Sequence, residues 1–315
     1  MEKLRNVSSS PHFRSKVDTQ SIMLDVILAM LPAVAIAVYR FGWRSLLVIA
    51  VTVGFSVLAE FLWNLLMKKT QTVRDLSAVV TGLILALNMP PEIPLWIPAL
   101  GAVFAIIVVK QLYGGIGQNF MNPALAARCF LLISFAGLMN NFSSPAIGFD
   151  AMTMATPLAA ARSGDMTGYS LLQLFIGNIP GTIGEVSALA LLVGGIYMLI
   201  TKVISFRIPL TYILVFAVFV FIFGDHDLYQ VAYQVLSGGL IFGAFFMATD
   251  YATSPITIKG QYVYGIFLGL LTGVFRLFGG TPEGVSYAII LGNLVVPLIE
   301  KYTVPAAFGK RGKKA

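Results

Sequence analysis

The sequence is poor in charge, in histidine and above all in cysteine. Charged residues make up 11% of its 315 positions, against about 25% in an ordinary soluble domain. A soluble fold of this size would have too few polar side chains to clothe its surface. The single cysteine, Cys129, excludes a disulfide framework and a cysteine-ligated cluster built from this chain alone. The two histidines, His12 and His226, have no other ligand type at metal spacing, so no bound metal is expected. The 21 Lys and Arg residues, which give a net charge of +7, are scattered between apolar runs rather than gathered in one patch. That pattern argues against nucleic acid and for a lipid surface. The first 21 residues are polar, without the apolar stretch and small-residue cleavage site of a signal peptide.

What the chain has in excess is grease. Hydrophobic residues make up 57% of it, in long runs that are apolar on both alternating faces, which excludes a membrane β-barrel. Ten apolar segments stand out: 22–38, 45–66, 76–88, 95–113, 121–139, 186–201, 208–223, 229–248, 262–279 and 285–300. Most approach the roughly 17–25 residues that a spanning helix needs. The third is short and stops at Asn88-Met89-Pro90-Pro91, a strong helix terminator. With the N-terminus placed in the cytoplasm, 16 Lys and Arg fall inside, three fall outside (Arg40, Arg44, Arg162) and two lie within spans (Arg128, Arg276). This bias predicts both termini inside, and the 140–185 segment outside. The expected organisation is a cytoplasmic segment 1–21, a five-helix unit 22–139, an extracytoplasmic segment 140–185, a second five-helix unit 186–300 and a basic cytoplasmic tail 301–315.

The two units share a weak, ordered pattern. TGLILALNMP and KQLYGGIGQN in the first answer to FGAFFMATDY and FRLFGGTPEG in the second. Five spans is an odd number, so the second unit is inverted relative to the first. The expected fold is an all-α integral membrane protein of about ten transmembrane helices, a 5+5 inverted repeat with discontinuous helices. Ser237-Gly238-Gly239 and Gly243 are expected to interrupt the eighth segment. Small residues that let helices pack closely are the plainer explanation of the same glycines.

Three groups of residues could carry chemistry. In LYGGIGQNFMNPALAAR, Gly114, Gly115 and Gly117 permit unusual backbone turns, Asn119 and Asn122 can bond freed backbone groups, and Pro123 suits a first helical turn. No strand precedes it, so it is not a dinucleotide fingerprint. A re-entrant turn and a ligand contact are both open. Asp25, Glu60, Arg128 and Asp250 are ionisable residues in apolar surroundings, candidates for an ion pathway or for buried pairs that fix helix packing. Thr153-Met154-Ala155-Thr156-Pro157 presents two hydroxyls and a proline. Thr156 as N-cap with Pro157 at the first helical position is the plain reading; an ester acceptor for a phosphate-bearing ligand is the other.

Taken together, several blocks resemble a known family. They are DLSA with TGLILAL, KQLYGGIGQNFMNPA and the Thr153–Pro157 stretch, in this order amid these spans, with SSSPHF and SIMLDVILAMLPA near the N-terminus. They resemble the NqrB/RnfD family: the D subunits of Rnf complexes and the related subunit of sodium-pumping quinone reductase. The resemblance covers essentially the whole chain. It implies a membrane subunit of a complex that moves electrons between ferredoxin and NAD+ and couples this to Na+ or H+ transport in a bacterial or archaeal cytoplasmic membrane. It implies partner subunits with iron–sulfur and flavin centres, and a flavin transferase that acts outside the cytoplasm. It implies FMN joined by a phosphoester bond to Thr156, within a Ser/Thr-x-Ala-Thr motif filled here by Thr153, Met154, Ala155 and Thr156, with Pro157 following. Thr153 stands where Ser is commoner. Some relatives also bind riboflavin noncovalently. The rival readings are a solute channel or transporter of the same inverted-repeat fold without flavin, and a structural scaffold in which Thr156 only caps a helix.

Overall fold

The computed structural model describes residues 18–142, 156–162, 168–280 and 283–305. Among them every regular element is a helix. Helix α1 (Thr19–Phe41) opens with a capping box: Asp18 accepts from the Ser21 amide, and the Ser21 side chain reaches back to the Asp18 amide. Gly42 turns the chain directly into α2 (Trp43–Leu66). These two helices, α13 (Ile258–Phe278) and α14 (Val285–Thr303) are long and apolar enough to cross a membrane singly. Their 19 to 24 residues give about 28–36 Å at 1.5 Å per residue, against a hydrocarbon core of about 30 Å.

The shorter apolar helices fall where the remaining segments lie. They are α3 (Ser77–Leu87), α4 (Trp96–Val103, continuing as π-helical turns to Gln111), α5 (Pro123–Ser134) with its short extension α6 (Ala136–Met139), α9 (Ala188–Ile200) and α10 (Arg207–Phe223). Between them lie α7 (Pro157–Arg162) and α8 (Leu171–Ile176). The eighth segment is broken as its glycines suggest: α11 (Leu228–Leu236) stops at Ser237, and α12 (Leu240–Phe242) runs on as π-helical turns to Met247. The two pieces meet at a bend of 64°. The break lies at Ser237–Gly239; Gly243 begins the π-helical turns and interrupts nothing. Gly82 and Gly243, paired by the sequence pattern, face different neighbours. A Cβ on Gly82 would meet Ser56 of α2, and one on Gly243 would meet Val285 of α14.

Helix α1 packs on α9, α2 on α3 and α4, and α10 on α13. Gly194 makes the first contact possible: a Cβ there would sit 2.0 Å from the Ala29 carbonyl oxygen. The glycines of the α4–α5 turn take positive φ angles of 122°, 100° and 79° at Gly114, Gly115 and Gly117. Asn122 then caps α5 by accepting from the amides of Ala124 and Leu125 at 3.0 and 3.3 Å, with Pro123 in the first turn.

The end of α3 is the structural problem that organises the site. Eleven residues span only about 17 Å, so its last carbonyls finish inside the protein. Buried irregular backbone is tolerated only where its polar groups find partners. The segment Ile179–Ala188 supplies them; it is buried throughout and has no regular structure before α9. The Gly184 amide donates to the Leu87 carbonyl at 2.6 Å, and the Ile183 amide to the Met89 carbonyl at 2.9 Å. Asn88 returns its side-chain amide to the Ile84 carbonyl at 2.7 Å.

Candidate functional site

A cavity of about 410 Å³ opens beside this junction. Its walls come from α5 and α6 (Leu132, Ala136), Phe142, Thr156 to Ala159, the Ile179–Glu185 segment, Gly238 at the helix break, and Glu283, Ser286 and Tyr287 around the start of α14. Thr156 is half-buried on this wall. Its hydroxyl accepts from the Ala159 amide at 3.3 Å, so it caps the six-residue α7 with Pro157 in the first turn, as the plain reading expects. The contact is at the long end for a hydrogen bond. Helix α7 is docked by its backbone and its far end: Tyr233 donates to the Pro157 carbonyl at 3.3 Å, and Arg162 donates to the Gly279 carbonyl. Thr153 and Ala155 lie outside the described residues.

The floor of the cavity is charged. Arg128 of α5 is 2% exposed, and its guanidinium bridges two carboxylates: Nη1 reaches Glu185 Oε1 at 3.3 Å, and Nη2 donates to Glu283. Nη1 also donates to Asn88 Oδ1 at 2.5 Å, which ties the arginine to the end of α3. The two carboxyl groups converge. An ideal Cβ on Gly239 would lie 2.5 Å from Glu185 Oε1 and 3.0 Å from Glu283 Oε1. Burial, and then the neighbouring Glu283, push Glu185 up to about 8 against the pull of Arg128. Burial acts to raise Glu283 too, but Arg128, with help from Glu185 and Arg276, holds it below the usual carboxylate range. Two like charges this close favour one shared proton.

A second guanidinium closes the group. Arg276 of α13 is 4% exposed and donates to the carbonyls of Gln234 and Ser237, the latter at 3.2 Å. These are free carbonyls at the C-terminus of the broken helix α11, where a cation suits both the hydrogen-bonding need and the helix dipole. The guanidinium also sits 5.0 Å above the Phe216 ring.

The other ionisable candidates lie elsewhere. Glu60 is 1% exposed and fully engaged: Lys110 Nζ lies 2.8 Å from its Oε2, and Thr72 donates to its Oε1 at 2.5 Å. Lys110 also donates to Ser77 Oγ at 2.6 Å. Asp25 accepts from the Tyr197 hydroxyl at 3.0 Å, linking α1 to α9. Asp250 accepts from Thr253 Oγ1 at 3.0 Å, and burial pushes its carboxyl up. Asp250, Lys110 and Asn119 line a second cavity of about 340 Å³. Its walls also hold Thr19 and Ser77, the starts of α1 and α3, so it lies at the opposite ends of the helices from the Thr156 cavity.

A sequence model of the NQR2, RnfD, RnfE family matches residues 6–309. The chain belongs to this family. Among its relatives, the D subunit of the Na(+)-translocating ferredoxin:NAD(+) oxidoreductase complex of Acetobacterium woodii is 50% identical over 306 residues, covering 96% of this chain and 95% of the relative. The D subunit of the proton-translocating ferredoxin:NAD(+) oxidoreductase complex of Clostridium ljungdahlii is 39% identical, covering 97% and 96%. The D subunit of the ion-translocating oxidoreductase complex of Escherichia coli is 35% identical, covering 97% and 98%.

The cavity has the size and the lining of an organic ligand site. Its volume falls in the roughly 300–1,000 Å³ range of organic ligand sites, and Phe142 and Tyr287 offer aromatic surface. Ser286 is 2% exposed, lines the cavity, and its hydroxyl finds no partner among the described residues. Such a group costs free energy unless something outside the protein bonds to it. Sequence reasoning singled out Thr156 and Arg128 and missed Glu185 and Glu283. Both follow glycine-rich stretches, NIPGTIGE and FGGTPE, that look like surface loop. The available signal was their position directly before an apolar helix.

Proposed function

We propose that this chain is the D-type membrane subunit of a ferredoxin:NAD+ oxidoreductase complex, carries FMN as a phosphoester on Thr156, and relays electrons across the membrane in step with Na+ or H+ translocation. The observation that carries the reading is the placement of Thr156: a half-buried residue on the wall of a ligand-sized cavity that Glu185 and Glu283, both paired with the buried Arg128, also line. The relatives' names supply the reaction, and the expected motif supplies the residue.

Bound there, FMN would supply electron-transfer chemistry that no side chain of this chain can perform. The chain's own residues do the rest. Thr156 holds the group at high local concentration beside its redox partners. The Ile179–Ala188 segment and α7 cover the cavity's sides. Arg128 fixes the charge balance at its floor. The same reading places the protein in a bacterial or archaeal cytoplasmic membrane as a 5+5 inverted repeat, with both termini cytoplasmic and Thr156 outside. It requires partner subunits with iron–sulfur and flavin centres, and a flavin transferase for maturation.

The test is to express the chain with a flavin transferase, denature it, and view the gel under ultraviolet light. The expected result is fluorescence that survives denaturation, FMN minus water at Thr156 by peptide mass, and loss of both in Thr156→Ala. A dark wild-type band, with the transferase active on a control substrate, would remove the flavin claim and favour a channel of the same fold.

A further inference from the structure

Two features of the Thr156 cavity are not used by tethering. One is the convergence of Glu185 and Glu283 on a single point beside Gly239. The other is that one guanidinium, Arg128, serves both carboxylates. Arg276, the other cation nearby, is committed to the carbonyls of Gln234 and Ser237. Two carboxyl groups therefore meet at one point of the cavity that Thr156 also lines, and their mutual repulsion favours one proton between them. Burial strengthens that repulsion, because two carboxylates out of water and side by side are costly unless one of them is protonated.

We propose that Glu185 and Glu283 together hold one exchangeable proton beside the group carried on Thr156, with Glu185 taking it from, and returning it to, the water at that face as negative charge in the cavity rises and falls. The proposal rests on the flavin reading of Thr156. Above about pH 8, where Glu185 is ionised before reduction, an electron that enters the cavity from a reduced partner centre is matched by one proton, which forms an O–H bond on Glu185. The O–H bond that breaks is that of a hydronium ion at that face, which is left as water; Arg128 keeps its contact with Glu283, and the charge of the cavity is unchanged. When the electron leaves, the O–H bond breaks and the proton returns to water.

The surroundings favour Glu185 as the exchanging member. Its contact with Arg128, at 3.3 Å, is the looser of the two, and burial with the adjacent Glu283 already pushes it up to about 8. The charged and titratable groups around the pair are Arg128 and Cys129 from α5, Arg276 from α13, Tyr212 from α10 and Tyr287 from α14. Of these only Arg128 and Arg276 are cationic, and neither can give up a proton in this range. A Cβ on Gly239 would meet both carboxyl groups, so the pair lies against the break between α11 and α12. That gives the proton a route to the one strongly bent helix pair among the described residues.

The experiment uses the purified full-length chain, matured with flavin transferase, and two readouts. The first is infrared absorption of the protonated carboxyl C=O stretch, followed from pH 6 to 9. A band that titrates in this range and is absent from Glu185→Gln is expected, and this readout does not need the flavin. The second is the midpoint potential of the bound flavin against pH. Above about pH 8, where Glu185 is ionised before reduction, the wild type is expected to fall by about 59 mV per pH unit, the value for one proton per electron, and Glu185→Gln to lose at least half of that slope. Glu283→Gln, which leaves a single carboxylate beside Arg128, is expected to lose it as well. The absence of the carboxyl band in the wild type, or an unchanged slope in both correctly folded variants, would overturn the proposal. A wild-type chain that titrates by infrared but carries no flavin would sink the Thr156 reading and the redox linkage, while leaving the shared proton in place.

Discussion

At the scale of single residues, the buried charges sort by what they touch. Glu60 and Lys110 form a closed pair, with Thr72 and Ser77 completing their hydrogen bonds. Such a pair contributes little net stability, yet breaking it leaves an uncompensated buried charge at about 3–5 kcal/mol. Lys110→Met is therefore expected to lower the unfolding temperature in detergent sharply. The double variant Glu60→Leu/Lys110→Met should recover most of the loss, and a double variant as weak as the single would contradict this. Glu185 makes a different prediction. Its carboxyl is raised from 4.5 to about 8, so its neutral form stabilises the fold at low pH, and that stability is lost as pH rises through 8. Glu283 is depressed, so its contribution is present above the ordinary carboxylate value and lost as pH falls. The melting temperature should fall on both sides of pH 5. Glu185→Gln should flatten the alkaline limb alone, as thermal scans from pH 4 to 9 would reveal.

At the scale of elements, the fold turns on helix ends that stop inside the protein. The end of α3 is completed by the Ile179–Ala188 backbone and by Asn88, and the end of α11 by Arg276. Hydrogen bonds to a charged group are worth about 1.5–3 kcal/mol each, so Arg276→Gln is expected to cost about 3 kcal/mol in denaturant unfolding. Arg276→Lys should restore only part, because an ammonium lacks the fork that spans two carbonyls. The sequence reveals both stops, through Asn88-Met89-Pro90-Pro91 and Ser237-Gly238-Gly239, because proline and glycine act on the backbone locally. It does not reveal what fills the space beyond them. The Ile179–Ala188 segment has the composition of a surface loop, and its burial is decided by partners far along the chain, such as Leu87 and Met89. The same holds for the cavity: Thr156 is legible from a local motif, whereas Arg128, Glu185 and Glu283 meet only through long-range packing.

At the scale of the whole molecule, the two cavities lie at opposite ends of the bundle, and labelling decides which end faces the cytoplasm. Lys68, Lys69, Arg74 and Lys202 sit at the connections on the side of the Lys110–Asp250 cavity, and the orientation proposed from the positive-inside rule has that side in the cytoplasm. Cys129, the one native thiol, is buried, so single-cysteine labelling should have a low background. Lys69→Cys lies in the α2–α3 connection on the basic side, and Ser170→Cys is exposed just before α8 on the side of Thr156. In right-side-out vesicles a membrane-impermeant maleimide is expected to label Ser170→Cys and spare Lys69→Cys. In inverted vesicles the order should reverse. This orientation is what the proposed flavin attachment needs, since the family resemblance implies a transferase that acts outside the cytoplasm. Labelling of Lys69→Cys from outside would invert the protein, put Thr156 out of the transferase's reach, and remove the topological support for the phosphoester independently of any flavin measurement.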